Sequence, residues 1–178
     1  MIREKQIAFD GQTWSWTNPN NTKLRWSGLS KEIIIKNIDN ALINAKENGK
    51  LFEAKVAKRI SELVKNVADE ITDFSNEVRD MISKLSNGDI DCATKKYIIE
   101  AKSELKNIDS IRKLYKQLQK YLPQNINSSE MYMNPLNKKV VVVFENMGTY
   151  TLDHPILKEL QNKGVIFIKG IDNLSKLY

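Results

Sequence analysis

The sequence predicts a mixed α/β fold with a central mixed sheet flanked by helices, on three observations. Two apolar runs of strand character, KVVVVF at 139–144 and VIFIKGI at 165–171, flank a helical stretch, HPILKELQNKG. Segments after Ser30 and after Gly49 carry apolar residues at helical spacing, and residues 12–28 alternate like a hairpin. Strand, helix and strand in that order imply a right-handed crossover and a sheet with parallel members.

The elements follow in order. In QTWSWTNPNNTKLRWSG, Trp14 and Trp16 share one side, Leu24 and Trp26 answer them, and Asn18-Pro19-Asn20-Asn21 supplies turn chemistry. From Ser30 to about Asn48, Ile34, Ile38, Leu42 and Ala45 mark a helix, with Asn48-Gly49 read as its C-terminal cap. A second helix begins near Lys50 with the stripe Phe52, Val56, Ile60, Leu63, Val67. That stripe continues through Ile71, Phe74, Val78, Met81 and Leu85, too long for one helix in a small domain, so a break near Thr72 to Asn76 and a short strand after it are expected. Two strands in NGDIDCATKKYIIEAK (87–102), a helix from Ile108 to Leu122 stopped by Pro123, and a loop to Asn137 lead into the final strand, helix and strand. Pro155 in the first turn and Gly164 past the end frame the last helix. Residues 1–48 are expected as a hairpin-and-helix extension of a domain over 49–178.

Composition narrows the chemistry. At 178 residues and 41% hydrophobic content the chain can bury a core. No run approaches the roughly 18 apolar residues of a membrane helix, and MIREKQIAFDGQ has no apolar signal region, so export by another route or as part of something larger is the expectation if the protein leaves its cell. A single cysteine, Cys92, excludes an internal disulfide and fits a reducing compartment. A single histidine, His154, excludes paired-histidine hydrolysis and HExxH zinc chemistry. Phosphate-cradling glycine loops are absent. Carboxylates, lysines and a hard metal remain. The net charge of +6 is concentrated: from Lys95 to Lys120 there are eight basic residues and three acidic ones, a pattern suited to a polyanion and equally to a solvated helix.

The charged hairpin is the sharpest feature. Strand alternation puts Asp89 and Asp91 on one face against Ile90 and Cys92 on the other, and Glu100 and Lys102 opposite Ile99 and Ala101. With Lys95-Lys96 at the turn, Asp91 falls across from Glu100 and Asp89 across from Lys102. Two carboxylates about 5 Å apart near a surface of effective dielectric about 20 repel by roughly 3 kcal/mol. A divalent cation would offset that, since Mg²⁺ or Mn²⁺ binds through one or two carboxylates with water and substrate phosphate. Lys102 would then orient the attacking water or stabilise the developing charge. The string alone also fits an exposed lattice of ion pairs.

GDIDCATKKYIIEAK resembles the core signature of the PD-(D/E)xK, restriction-endonuclease-like nuclease superfamily, in which an aspartate on one strand precedes E-x-K on the next: here Ile90-Asp91-Cys92, then Ile99-Glu100-Ala101-Lys102. The resemblance implies a glutamate on an upstream helix, met by Glu53 in GKLFEAKVAKRI, a helix after E-x-K, and then a buried strand, met by KVVVVF. KQLQKY resembles the Q-x-x-x-Y element of RecB-like members through Gln117 and Tyr121. It therefore implies a restriction-endonuclease-like core over about residues 49–145. Its metal-dependent nuclease activity would use Asp91, Glu100 and Glu53 as ligands to Mg²⁺ or Mn²⁺, with Lys102 as the catalytic lysine. The basic helix, through Lys106, Lys113, Lys116, Gln117 and Lys120, would contact nucleic acid. The literal proline is missing, since Gly88 precedes Asp89, so Asp89 competes with Asp91 as ligand, Glu62 competes with Glu53, and the first core strand before Asp91 is not evident.

A small basic nuclease of this kind looks like the toxin module of a bacterial contact-dependent inhibition or polymorphic toxin system. That implies action on tRNA or DNA in the cytoplasm of a target bacterium, with a lean to tRNA, delivery from another cell, and a cognate immunity protein as partner. The alternatives are a restriction or repair DNA nuclease and a non-catalytic nucleic-acid-binding domain. Trp14, Trp16 and Trp26 with Lys23 and Arg25 suit base stacking or simply a stable hairpin, His154 suits a cap, and Tyr121 suits the core.

Overall fold

The computed structural model describes residues 7–66, 68–123 and 132–178. Among them are eight strands, β1 (Ala8–Phe9), β2 (Thr13–Thr17), β3 (Lys23–Ser27), β4 (Ile71–Asp80), β5 (Ser86–Thr94), β6 (Tyr97–Glu104), β7 (Lys139–Asn146) and β8 (Ile166–Lys169), and four α-helices, α1 (Lys31–Asn44), α2 (Asn48–Leu63), α3 (Ile108–Leu118) and α4 (Pro155–Asn162). The strands form one mixed sheet in chain order, antiparallel from β1 to β6 and parallel from β6 to β8. The mixed α/β expectation holds. No helix of the described residues is long and apolar enough to cross a membrane.

The front hairpin forms as its alternation predicts, with Trp14 opposite Trp26 and Trp16 opposite Leu24. It is continuous with the rest of the sheet, because β3 pairs with β4 through Leu24↔Asp80 and Arg25↔Arg79. α1 and α2, on either side of residue 48, bury one core together. Ser30 caps α1 by accepting the amide of Ile33. The expected cap at Asn48-Gly49 is incorrect: α1 ends at Asn44 with Ala45 as its cap, and Asn48 and Gly49 open α2.

The long helical stripe also ends earlier than its periodicity suggests. α2 stops at Leu63, a 3₁₀ turn covers Val64–Asn66, and the chain is already a ten-residue strand at Ile71. β4 mimics a helix because its register shifts by one residue between Ile71 and Asp73. In a regular strand, residues three apart point to opposite faces; the extra residue turns both Ile71 and Phe74 toward α1 and α2. Ser75 then adopts φ 47°, and Val78 packs in the opposite core.

Two apolar layers cover the sheet. Ile34, Ile38, Phe52, Val56 and Ile60 of α1 and α2 pack on Phe74, Cys92, Ile99, Val141 and Val143. Ile111, Leu114 and Leu118 of α3 and Leu157 and Leu160 of α4 pack on Ile98, Val140, Val142 and Phe144 on the other side. Covered on both faces, β7 is apolar at every position from Val140 to Phe144, as a central parallel strand should be. An Asn107–Ser110 capping box starts α3, and His154, with Pro155 after it, caps α4 by accepting the Ile156 amide.

Candidate active site

The site forms where β5 parts from β6. The two strands pair at Ala93↔Ile98 and Cys92↔Ile99, and the next rung would be Asp91 opposite Glu100. Cys92 packs in the α1/α2 core, whereas Ile90 packs in the α3/α4 core, so β5 changes layers at Asp91. In the gap, the Asp91 side chain accepts the Ala101 amide at 3.1 Å. A carboxylate stands where a strand carbonyl would be. β5 stays with β4 through this stretch, so Asp89 lies opposite Glu77 rather than Lys102.

Asp91 and Glu100 are only 6% and 1% exposed. The exposed ion-pair lattice is thereby replaced by a buried one. Glu100 Oε1 accepts from Lys102 Nζ at 2.6 Å and from Gln117 Nε2 at 2.7 Å, while Gln117 Oε1 accepts from Lys102 Nζ at 3.0 Å. These three side chains close a ring across β6 and α3. Burial, then the charge of Glu100, pushes the Asp91 carboxyl well above the ordinary range. Burial works against the Lys102 ammonium, but Glu100, Asp91 and Glu53 outweigh it and hold its pKa above the usual value.

Glu53, on the first turns of α2, reaches the edge of this group. Burial, then the Asp91 charge, raises its pKa, and its carboxylate is held by Lys50 at 2.8 Å. Lys50 escaped the sequence reading, although its spacing of three from Glu53 on one helix was the available signal. Its pKa is raised too, with burial opposing and Glu53, Asp91 and Asp89 prevailing. Among the described residues no group of three or more His, Cys, Asp or Glu forms a ready metal cage, so Glu53 does not complete a three-carboxylate set with Asp91 and Glu100.

The rival positions separate clearly. Asp89 is exposed and Asp91 buried against Glu100; Glu62 is paired with Arg59 on the surface of α2. Of the basic set, Lys113 and Lys116 are exposed on the outer face of α3, and Lys106 is exposed beside Glu104. Gln117 turns into the site. Lys120 turns inward, its ammonium donating to the Asn87 carbonyl of β5 at 2.7 Å. Tyr121 is buried as expected, and its hydroxyl donates to the Asp89 carbonyl at 3.4 Å.

The donor set suits a hard divalent cation. Mg²⁺ keeps several waters and needs only one or two protein carboxylates with substrate phosphate, and Asp91 and Glu100 supply two oxygen-bearing side chains on adjacent strands. Against their two negative charges and that of Glu53 stand the two positive charges of Lys102 and Lys50, so the fully ionised group carries a net negative charge.

No family model matches the chain, and no curated protein matches it. Among solved structures, the crystal structure of protein VC1899 from Vibrio cholerae is similar at TM-score 0.44 and 17% identity, over 73% of this chain and 32% of that one. The chain spans about a third of the length of that protein.

Proposed function

We propose that the protein is a divalent-metal-dependent endonuclease that hydrolyses phosphodiester bonds of nucleic acid. The observation that carries this reading is the buried Asp91–Glu100 pair with Lys102 bonded to Glu100. A chain does not bury two facing carboxylates for stability, since each loses hydration and repels the other. The order α2, antiparallel β4, β5 and β6, then α3 and parallel β7 supports the resemblance to a restriction-endonuclease-like core, in which β4 would serve as the first core strand.

Asp91 and Glu100 would hold Mg²⁺ or Mn²⁺, which supplies Lewis-acid activation of water and neutralises charge on the phosphate. Lys102, fixed by Glu100 and Gln117, holds a proton donor beside the scissile group and stabilises the charge that develops there. Gln117 fixes the rotamers of both partners from α3. Glu53 and Lys50 set the charge at the far edge of the site. The exposed Lys113 and Lys116 lie on the same helix as Gln117 and are suited to the flanking backbone phosphates.

The toxin resemblance extends the proposal to an interbacterial toxin cutting tRNA, or else DNA, in the target cytoplasm, with an immunity protein as antagonist. Incubation with total tRNA and with plasmid DNA, in Mg²⁺ and in EDTA, tests the activity and selects the substrate. Cleavage of either polymer that stops in EDTA is expected; persistence of both polymers intact in Mg²⁺ and in Mn²⁺ removes the enzyme reading.

A further inference from the structure

A second concavity lies on the α3/α4 side of the sheet, between the β2–β3 hairpin and residues 133–138. It encloses about 270 Å³, close to the lower end of the roughly 300–1,000 Å³ of small-ligand sites. One wall is aromatic. Trp14 and Trp26 stand opposite each other on β2 and β3 with ring planes within 15° and centroids 6.5 Å apart. Phe9 stacks on Trp14 at 4.6 Å and supports it from outside the pocket lining.

The floor is polar. Asp73 accepts from Asn76 Nδ2 at 2.7 Å and from Thr72 Oγ1 at 2.9 Å, and Lys138 Nζ donates to Thr72 Oγ1 at 3.0 Å. A carboxylate and an ammonium therefore line the same small space, and two of the three Lys138 N–H donors have no partner among the described residues. Flat apolar walls with an adjacent acceptor and donor at the base match a nucleobase, which offers two stacking faces and a hydrogen-bonding edge. Ile90 lines the pocket and is the immediate neighbour of Asp91, with Cα atoms about 3.8 Å apart.

We propose that this pocket receives one unstacked nucleobase of the strand being cut, next to the phosphate held at Asp91 and Glu100. Trp14 and Trp26 form the stacking wall, and Asp73 and Lys138 read the base edge. The inference rests on the nuclease reading and specifies its substrate as a strand with an extrudable base, a single-stranded loop or end rather than a continuous duplex.

The test is a titration of full-length wild-type protein and of Glu100→Gln, both in EDTA, with each of the four nucleoside 5′-monophosphates, reading tryptophan emission; ribose 5-phosphate is the control. Saturable quenching by at least one nucleotide and none by ribose 5-phosphate is expected. Trp14→Leu and Lys138→Met, each checked for a native circular dichroism spectrum, should bind about tenfold more weakly. An equal response to ribose 5-phosphate would make the site a phosphate contact and overturn base insertion. So would absence of saturable quenching, or folded variants that bind as wild type. No cleavage is read in this titration, so a failed nuclease reading leaves its result standing. Metal-dependent cleavage without quenching sinks the pocket alone.

Discussion

Asp73 and Asp91 lie on the adjacent strands β4 and β5, almost equally buried at 7% and 6%, and burial raises the pKa of both. Their surroundings differ. Asp73 receives donors on both oxygens, from Asn76 and Thr72, and the Lys138 charge counters the effect of burial. Asp91 receives one backbone amide and faces a second buried carboxylate. The first acid has a donor on each oxygen and ties β4 to the front hairpin, since Asn76 also bonds the Ser27 carbonyl at 2.8 Å. The second is held in a place where its charge is unwelcome, which is how a site keeps a carboxylate ready for a cation or a proton.

The contrast breaks most sharply in catalysis. Asp91→Asn and Glu100→Gln keep the shape of the site and remove its charge, and each should lower the cleavage rate about 10³-fold in a Mg²⁺ assay; a loss of only a few-fold would return the pair to a structural role. Gln117→Leu removes the bridge between Glu100 and Lys102, and a loss of about 10- to 100-fold in kcat is expected.

Stability should move in opposite directions at the two acids. Asp73→Ala strands the Thr72 hydroxyl and one Asn76 donor and should cost about 1–3 kcal/mol in urea unfolding. Asp91→Asn should stabilise at neutral pH. The folded pKa of Asp91 lies above the ordinary value near 4. As pH rises between the two values, the unfolded chain releases the proton while the folded chain retains it, so wild-type stability falls. The asparagine variant lacks that fall. Its Tm in EDTA should exceed wild type at pH 7 and match it at pH 3; a lower Tm at pH 7 would mean that the Asp91 charge is not under stress.

The smallest effect belongs to the surface. Lys113→Glu with Lys116→Glu should weaken nucleic-acid binding more at low salt than at high, because exposed phosphate contacts release counterions. An equal effect at all salt concentrations would argue for a contact other than phosphate.

Much of this arrangement was legible in the sequence. The tight turn at Lys95-Lys96 set a register that points Asp91 at Glu100, but the period of two failed at Asp91: the ladder stops at Cys92↔Ile99, and Ile90 and Cys92, expected on one face, pack in opposite cores. The apolar runs at 140–144 and 165–168 marked parallel strands because burial on both faces leaves no polar alternation. β4 was hidden. One extra residue near Thr72 and a left-handed Ser75 gave β4 the three-and-four spacing of a helix. Lys50 was missed as a partner of Glu53, and the Asp73–Lys138 floor was beyond reach, because residues 65 apart meet only through the sheet. The fate of Lys120 was likewise a tertiary matter, fixed by the passage of Asn87 beside the turn that follows α3.

The central claim is that the buried pair exists to take a divalent cation, and calorimetric titration of Mn²⁺ into the metal-free protein tests it most directly. Wild type should bind one equivalent, more tightly as pH rises, since burial and the Glu100 charge raise the Asp91 pKa and the carboxyl must be ionised to ligate. Asp91→Asn and Glu100→Gln should each abolish that binding. Binding retained in both variants, or no binding by wild type, would contradict the account.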